Sequence, residues 1–249
     1  MSRTGRLRAS FRAAALSFLR RRTAVFFTFL FPLLIVLIFG ALIETGAGGG
    51  GLFAEPPGYY VPGYLATVVL FTPLSRVGSE VARHRDGNRF EKLATTPLRR
   101  WEWLFAQTLV NVAVIGLAAL LLLALLVAVT GAEIVLSLWL IPFVVAGVAL
   151  FCGIGALIGA LADSQDGVIA ISNAIALPLL FLSETFAPPS LLPAWFRPAL
   201  ELSPLTYFSR GVRAATFDST GDPLANLAIL LGLAILALGI GALALPRTD

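Results

Sequence analysis

Six apolar runs, at 24–43, 59–75, 104–129, 134–162, 167–183 and 224–245, constrain this chain more than any other feature. About twenty helical residues at ~1.5 Å each cross a hydrocarbon core of ~30 Å, and these runs lie at or near that length. The expected fold class is therefore all-α and integral to the membrane. Composition agrees: 58% of residues are hydrophobic and 13% are charged, with a mean hydropathy of +0.89. Soluble domains carry about 25% charged residues. Between the runs the longest polar stretches are too short for a soluble domain, so residues 1–249 are expected to form one transmembrane domain. The first run is too long for a signal-peptide core, so an uncleaved first span is expected.

The most polar segment is 76–104. It carries Arg76, Arg83, Arg85, Arg89, Lys92, Arg99 and Arg100 among Glu80, Asp86, Glu91 and Glu102, and holds the sole His, His84. Such a segment marks an aqueous face. Asn88 with Glu91 three residues on has the form of a capping box, and Phe90, Leu93, Ala94 and Pro97 follow at helical spacing. Thr96-Pro97 gives a second start signal. The expectation is a short helix across the membrane face, a break, and a new helix re-entering near Trp101 and Trp103.

Residues 1–23 carry seven Arg, with Leu7, Phe11, Ala14 and Phe18 recurring between them. That pattern predicts a basic amphipathic helix at the headgroup surface. Gly155-x-x-x-Gly159 in the fourth run would let another helix approach closely. Residues 184–223, broken by prolines at 188, 189, 193, 198 and 204, predict two short helices dipping into or lying on the other face. Their charges, Glu184, Arg197, Glu201, Arg210 and Arg213, need water or partners. With six spans and the N-terminus inside, the inner segments hold seven, seven, none and one of the eighteen Lys and Arg. This asymmetry predicts cytoplasmic N- and C-termini in a multi-pass plasma-membrane protein.

Several chemistries are excluded. The net charge of +4 lies at membrane flanks, which argues against nucleic acid as a partner. Cys152 is alone and allows no internal disulfide. No His-Glu-x-x-His motif, nucleophile–base pair or metal set is evident, so neither catalytic nor metal-binding residues are expected. The only Lys, Lys92, lies outside any phosphate-binding loop motif, so no ATP is expected on this chain. Mid-span polar residues are few: Gln107, Asn111 and Asn173. The chain lacks its own energy source, which leaves a passive structural protein or a subunit driven by another chain.

Three features resemble the membrane subunits of ABC exporters known as ABC-2 type permeases, of the drug-efflux and polysaccharide-export kind. They are Glu-Lys-Leu-Ala-Thr-Thr-Pro-Leu-Arg-Arg-Trp-Glu-Trp-Leu from Glu91 to Leu104, the proline-rich segment from Phe186 to Tyr207, and the six-run order behind a basic amphipathic helix. The resemblance implies a homo- or heterodimer of permease subunits, each docked to a separate ATP-binding subunit that holds ATP and Mg. Arg89, Phe90, Glu91, Lys92 and Leu93 would belong to a coupling helix. Closure of the ATP-binding subunits would push on it and shift spans one, two and five. Residues 184–212, with Pro189, Pro193, Trp195, Pro204 and Tyr207, would form outer re-entrant helices closing the exit. Phe27, Phe31, Tyr64 and Asn173 are the candidate path residues, for a hydrophobic or amphipathic compound, a lipid or a glycan. Two other readings stay open at this point: an ion-coupled secondary transporter, and a non-transporting assembly factor.

Overall fold

The computed structural model describes residues 3–38, 55–131, 137–186, 193–217 and 221–246. Its described residues are helical throughout, without a strand. The first helix, α1 (Arg3–Leu19), turns its Leu7, Phe11, Ala14 and Phe18 face inward and leaves Arg8 and Arg12 exposed, as the spacing predicts. A break at Arg20–Arg21 separates it from α2 (Arg22–Val36), so Arg22 and Thr23 belong to the second helix rather than the first. The helical path continues through Leu37 and Ile38; Phe39 and the rest of the 24–43 run lie outside the described residues.

A 3-10 turn at Pro57–Tyr60 leads into α3 (Val61–Asp86). This helix runs eleven residues past the end of the 59–75 run, so Pro73 sits inside it and Arg76, Glu80 and His84 project from its last turns. Then come α4 (Arg89–Ala94), α5 (Arg100–Thr130) and α6 (Leu140–Leu161). Gly131 ends α5 with a left-handed φ of 64°, the conformation glycine adopts at least cost. The chain closes with α7 (Gln165–Phe181), α8 (Arg197–Leu200), α9 (Pro204–Thr216) and α10 (Pro223–Ala244). Ser164 caps α7 by accepting from the Gly167 N–H, and Asp222 caps α10 by accepting from Leu224 and Ala225.

Among the described residues four helical stretches are long and apolar enough to cross a membrane: Pro57–Asp86, Arg100–Thr130, Leu140–Leu161 and Pro223–Ala244. Two shorter apolar helices, α2 and α7, accompany them. The core lies where α3 and α6 meet, with α10 against the far side of α6. Glycines set these distances. A Cβ on Gly155 would lie 2.5 Å from the Leu74 carbonyl oxygen, and one on Gly78 would lie 2.9 Å from that of Gly155. Gly159 faces the Gly78 carbonyl, so the Gly155-x-x-x-Gly159 reading holds and α3 is the helix it admits. On the opposite face a Cβ on Gly241 of α10 would lie 2.5 Å from the Gly153 carbonyl oxygen. Tyr60, Leu65, Leu70, Leu74, Phe143 and Phe151 fill the bundle around these crossings.

Candidate functional site

At the far end of α3 the chain reverses at Gly87-Asn88 and lays α4 across the bundle. The expected capping box does not form. Asn88 adopts φ 50° and ψ 31°, the left-handed conformation that asparagine tolerates, and its side chain accepts nothing from α4. The reversal therefore uses Asn88 as a turn residue. Thr96-Pro97 also differs from expectation. Thr96 Oγ1 donates to the Leu93 carbonyl at 2.6 Å, so this threonine closes α4, and α5 begins only at Arg100. Glu102 supplies the cap there instead, its carboxylate accepting from the Arg99 backbone N–H at 3.0 Å.

The six-residue α4 has two characters. Arg89, Glu91 and Lys92 are exposed, while Phe90 is buried and Leu93 half-buried. Phe90 seats in an aromatic cluster, its ring centroid 5.4 Å from His84 and 5.3 Å from Trp103, with His84 and Trp103 5.2 Å apart. The His84 ring is held in turn by Nδ1 at 2.9 Å from the Glu80 carbonyl, a contact in which Nδ1 donates. The sole histidine thus belongs to the seat of α4.

Ion pairs and arginine-to-carbonyl bonds gather other elements around this seat. Arg6 of α1 grips the buried Glu102 carboxylate with two N–H groups, at 2.7 and 3.1 Å. That bond raises the Arg6 guanidinium above its ordinary pKa. Arg21, at the break between α1 and α2, donates to Glu80 at 3.1 Å, and Arg83 lies 3.5 Å from the same carboxylate. Arg85 donates to the Ala160 carbonyl at 3.2 Å and to the Ala162 carbonyl, fastening the end of α6. Arg100 donates to the Leu245 carbonyl at 2.8 Å, fastening the end of α10. Deeper in the bundle Arg76 donates to Asn111 at 3.1 Å and stacks 4.3 Å over the Phe18 ring. Asn111 donates to the Gln107 backbone carbonyl at 2.8 Å, and the Gln107 and Asn111 side chains are both buried inside the bundle. These contacts place the start of α1 and the end of α10 at the α4 end of the molecule.

The opposite end is built from the start of α3, the end of α7 and the proline-broken segment. Glu184 is buried and receives two bonds from Arg210, at 2.5 and 2.9 Å. Glu201 receives two more from the same guanidinium, at 2.7 and 3.1 Å. Those carboxylates hold Arg210 well above the usual arginine pKa, the Glu184 bonds contributing most. Arg213 donates to the Glu184 carbonyl at 2.6 Å and stacks 4.0 Å over Tyr59. Three of the five charges, Glu184, Glu201 and Arg210, thus pair with one another, Arg213 is held by a backbone carbonyl and an aromatic ring, and Arg197 is exposed to the surroundings. Pro204 opens α9, and Leu205, Phe208 and Val212 bury its inner face. The Tyr207 hydroxyl donates to the Glu201 carbonyl at 3.0 Å. Pro193 and Trp195 are exposed, the latter by 79%. Pro189 lies outside the described residues.

The four candidate path residues are not gathered in one cavity. Phe27 is exposed on α2 and Asn173 on α7, whereas Tyr64 is buried beside Phe186, 6.2 Å between centroids. The Phe31 side chain lies outside the described part. Sequence reasoning did not foresee Arg6–Glu102, Arg21–Glu80 or Arg210–Glu184. Each pair joins residues far apart in the chain, and only the unusual presence of acids beside apolar runs hinted at partners. Among the described residues no cluster of three His, Cys, Asp or Glu is placed to hold a metal.

An all-helical bundle with long apolar helices, sealed by ion pairs at both ends, is a multi-pass membrane domain. Residues 6–217 match the ABC-2 type transporter membrane family, and the chain belongs to that family. Its members are permease domains without catalytic activity of their own, and they work with ATP-binding subunits. A search of curated proteins found no match to the chain. The protein is thus a permease domain for membrane transport by an ABC system.

Proposed function

We propose that the chain is an exporter subunit with six spans, and that α4 is the element through which a separate ATP-binding subunit drives it. The observation that carries this reading is the two-sided character of α4. Arg89, Glu91 and Lys92 offer charge to a soluble partner, while Phe90 locks the helix onto α3 and α5 through His84 and Trp103. A push on α4 would pass directly into two long helices. ATP and Mg belong to the partner chain.

In this reading α2 and α7 complete six spans with the four longer helices, and residues 1–249 form one domain. Fourteen of the eighteen Lys and Arg, counted among the described residues, then fall in segments on the α4 side, which makes that side cytoplasmic, with both termini. The proximity of α1 and Leu245 to the α4 seat supports the even number of crossings. Pro193, Trp195, Pro204 and Tyr207 would line the outer re-entrant closure; Pro189, expected beside them, lies outside the described residues. A second permease subunit, identical or related, would bring the exposed Phe27 and Asn173 faces into the path. With Phe31 and Tyr64, these residues suit a hydrophobic or amphipathic substrate.

The test is a detergent pull-down of the tagged chain with mass spectrometry, run on the native chain and on Phe90→Asp/Leu93→Asp. An ATP-binding subunit should accompany the native chain and be lost from a variant that still inserts. In the recovered pair, Glu91→Arg should lower partner ATPase activity without affecting insertion. An undiminished partner yield in the double variant would remove α4 from the role.

A further inference from the structure

A cavity of about 460 Å³ opens beside α4, separate from the charged face that Arg89, Glu91 and Lys92 present. Its floor is apolar: Phe90, Leu93 and Leu98 on one side, and Ala242, Leu243 and Pro246 of the α10 end on the other. Ala94, Thr96, Arg99, Arg100, Trp101 and Trp103 make up the rest of the lining, which among the described residues contains two cations and no carboxylate. Arg99 is exposed, and Trp101 is 45% exposed. Arg100 spends one N–H on Leu245 and keeps further donors in its guanidinium. The cavity therefore has an apolar slot, interfacial indoles and a doubly cationic rim at the boundary where a long apolar helix begins.

We propose that this cavity binds one anionic phospholipid, its phosphate on Arg99 and Arg100 and an acyl chain between Leu93 and Leu243. Charge complementarity selects the headgroup, and indoles beside basic residues are the side chains that settle at a bilayer boundary. Assigning the lipid to the inner leaflet rests on the orientation given under Proposed function; the site itself does not. A lipid seated there touches α4, the start of α5 and the end of α10 at once, and so cements the seat of the coupling element.

Trp101 and Trp103 make the test direct. The full chain carrying Trp139→Phe and Trp195→Phe, which leaves these two as the only indoles, is placed in nanodiscs with brominated phosphatidylglycerol or brominated phosphatidylcholine of the same acyl chains. Nanodiscs expose both leaflets, and no ATP-binding subunit is needed, so failure of the coupling or topology reading leaves this result readable. The anionic lipid should quench at a mole fraction about tenfold lower than the zwitterionic one. Arg99→Gln with Arg100→Gln should erase the difference. Arg99→Gln with Arg100→Lys, which keeps a donor near Leu245, should reduce it in a chain that remains folded. Equal quenching by both lipids overturns the proposal, as does a preference that survives loss of both arginines. A preference abolished by sodium phosphate, and not by chloride at equal ionic strength, would assign the rim to a free anion and overturn the lipid. A preference lost on adding a recovered ATP-binding subunit would make the cavity a protein seat, with the same consequence.

Discussion

Phe90 shows how much of the α4 seat one side chain carries. It is the buried anchor of a helix too short to persist alone, since a six-residue helix has little internal bonding to offset nucleation. Truncating a buried Phe to Ala costs about 3–5 kcal/mol in a core. Here the loss should appear locally, as undocking of α4 rather than unfolding of the bundle. Phe90→Ala should speed amide hydrogen exchange over residues 89–95 by roughly 100-fold, the factor that about 3 kcal/mol of local opening implies. Phe90→Leu should recover most of the protection. Unchanged exchange in Phe90→Ala would mean that α4 is held by something other than this ring. The sequence displayed part of this design and hid the rest. The alternation of Arg89, Phe90, Glu91, Lys92 and Leu93 is a local pattern, so its exposed and inward faces were legible. The role of Asn88 was not, because an asparagine can either cap a helix or turn left-handed, and only the direction of the following chain decides between them. Glu80 and Glu102 were legible as acids and not as hubs, because their arginine partners stand 59 and 96 residues away.

At the scale of helices, small residues decide which neighbours meet. In lipid no hydrophobic force pulls one apolar helix toward another, so close backbone approach and the dispersion contacts it permits carry association. The Gly155-x-x-x-Gly159 pattern was therefore readable as a crossing, while its partner, Gly78 of α3, required the fold. The extent of α3 was hidden for a related reason. Charges at 76–86 end an apolar run without ending a helix, and the helix continues because Arg76, Glu80, Arg83 and Arg85 each find partners around its last turns. These crossings make a graded prediction. A Cβ at Gly155 meets backbone, which cannot move aside, so Gly155→Ala should lower the thermal midpoint in detergent and Gly155→Val should lower it further. Overpacking of this kind costs about 1–3 kcal/mol. Gly232 of α10 has nothing within 4 Å of its Cβ position, and Gly232→Ala should leave the midpoint unchanged or raise it slightly. Equal effects at the two sites would mean that the α3–α6 crossing is looser than the packing indicates.

For the whole molecule the ion pairs and the arginine-to-carbonyl bonds divide into two clusters, one toward each end of α3. One gathers α1, α3, α5, α6 and α10 around α4; the other ties α7 and α9 to the start of α3 through Glu184, Arg210 and Arg213. At ~1.5 Å per residue the stretch of α3 from Val61 to Glu80 separates these clusters by about the thickness of a hydrocarbon core. Apart from Arg76, which is held by Asn111 and the Phe18 ring, charge gathers at both ends and is satisfied there, and the exporter reading requires those ends to face opposite compartments. Cysteine labelling tests this with little background, because the single native thiol, Cys152, is fully buried. Glu91→Cys and Trp195→Cys place thiols on exposed positions at the two ends. A membrane-impermeant maleimide applied to intact cells should label Trp195→Cys at once, and should label Glu91→Cys only after permeabilisation. Labelling of both from outside would put α4 and Trp195 on one face and dismantle the six-span arrangement. Labelling of Glu91→Cys alone would keep the spans and invert the orientation, leaving no cytoplasmic face for an ATP-binding subunit to grip.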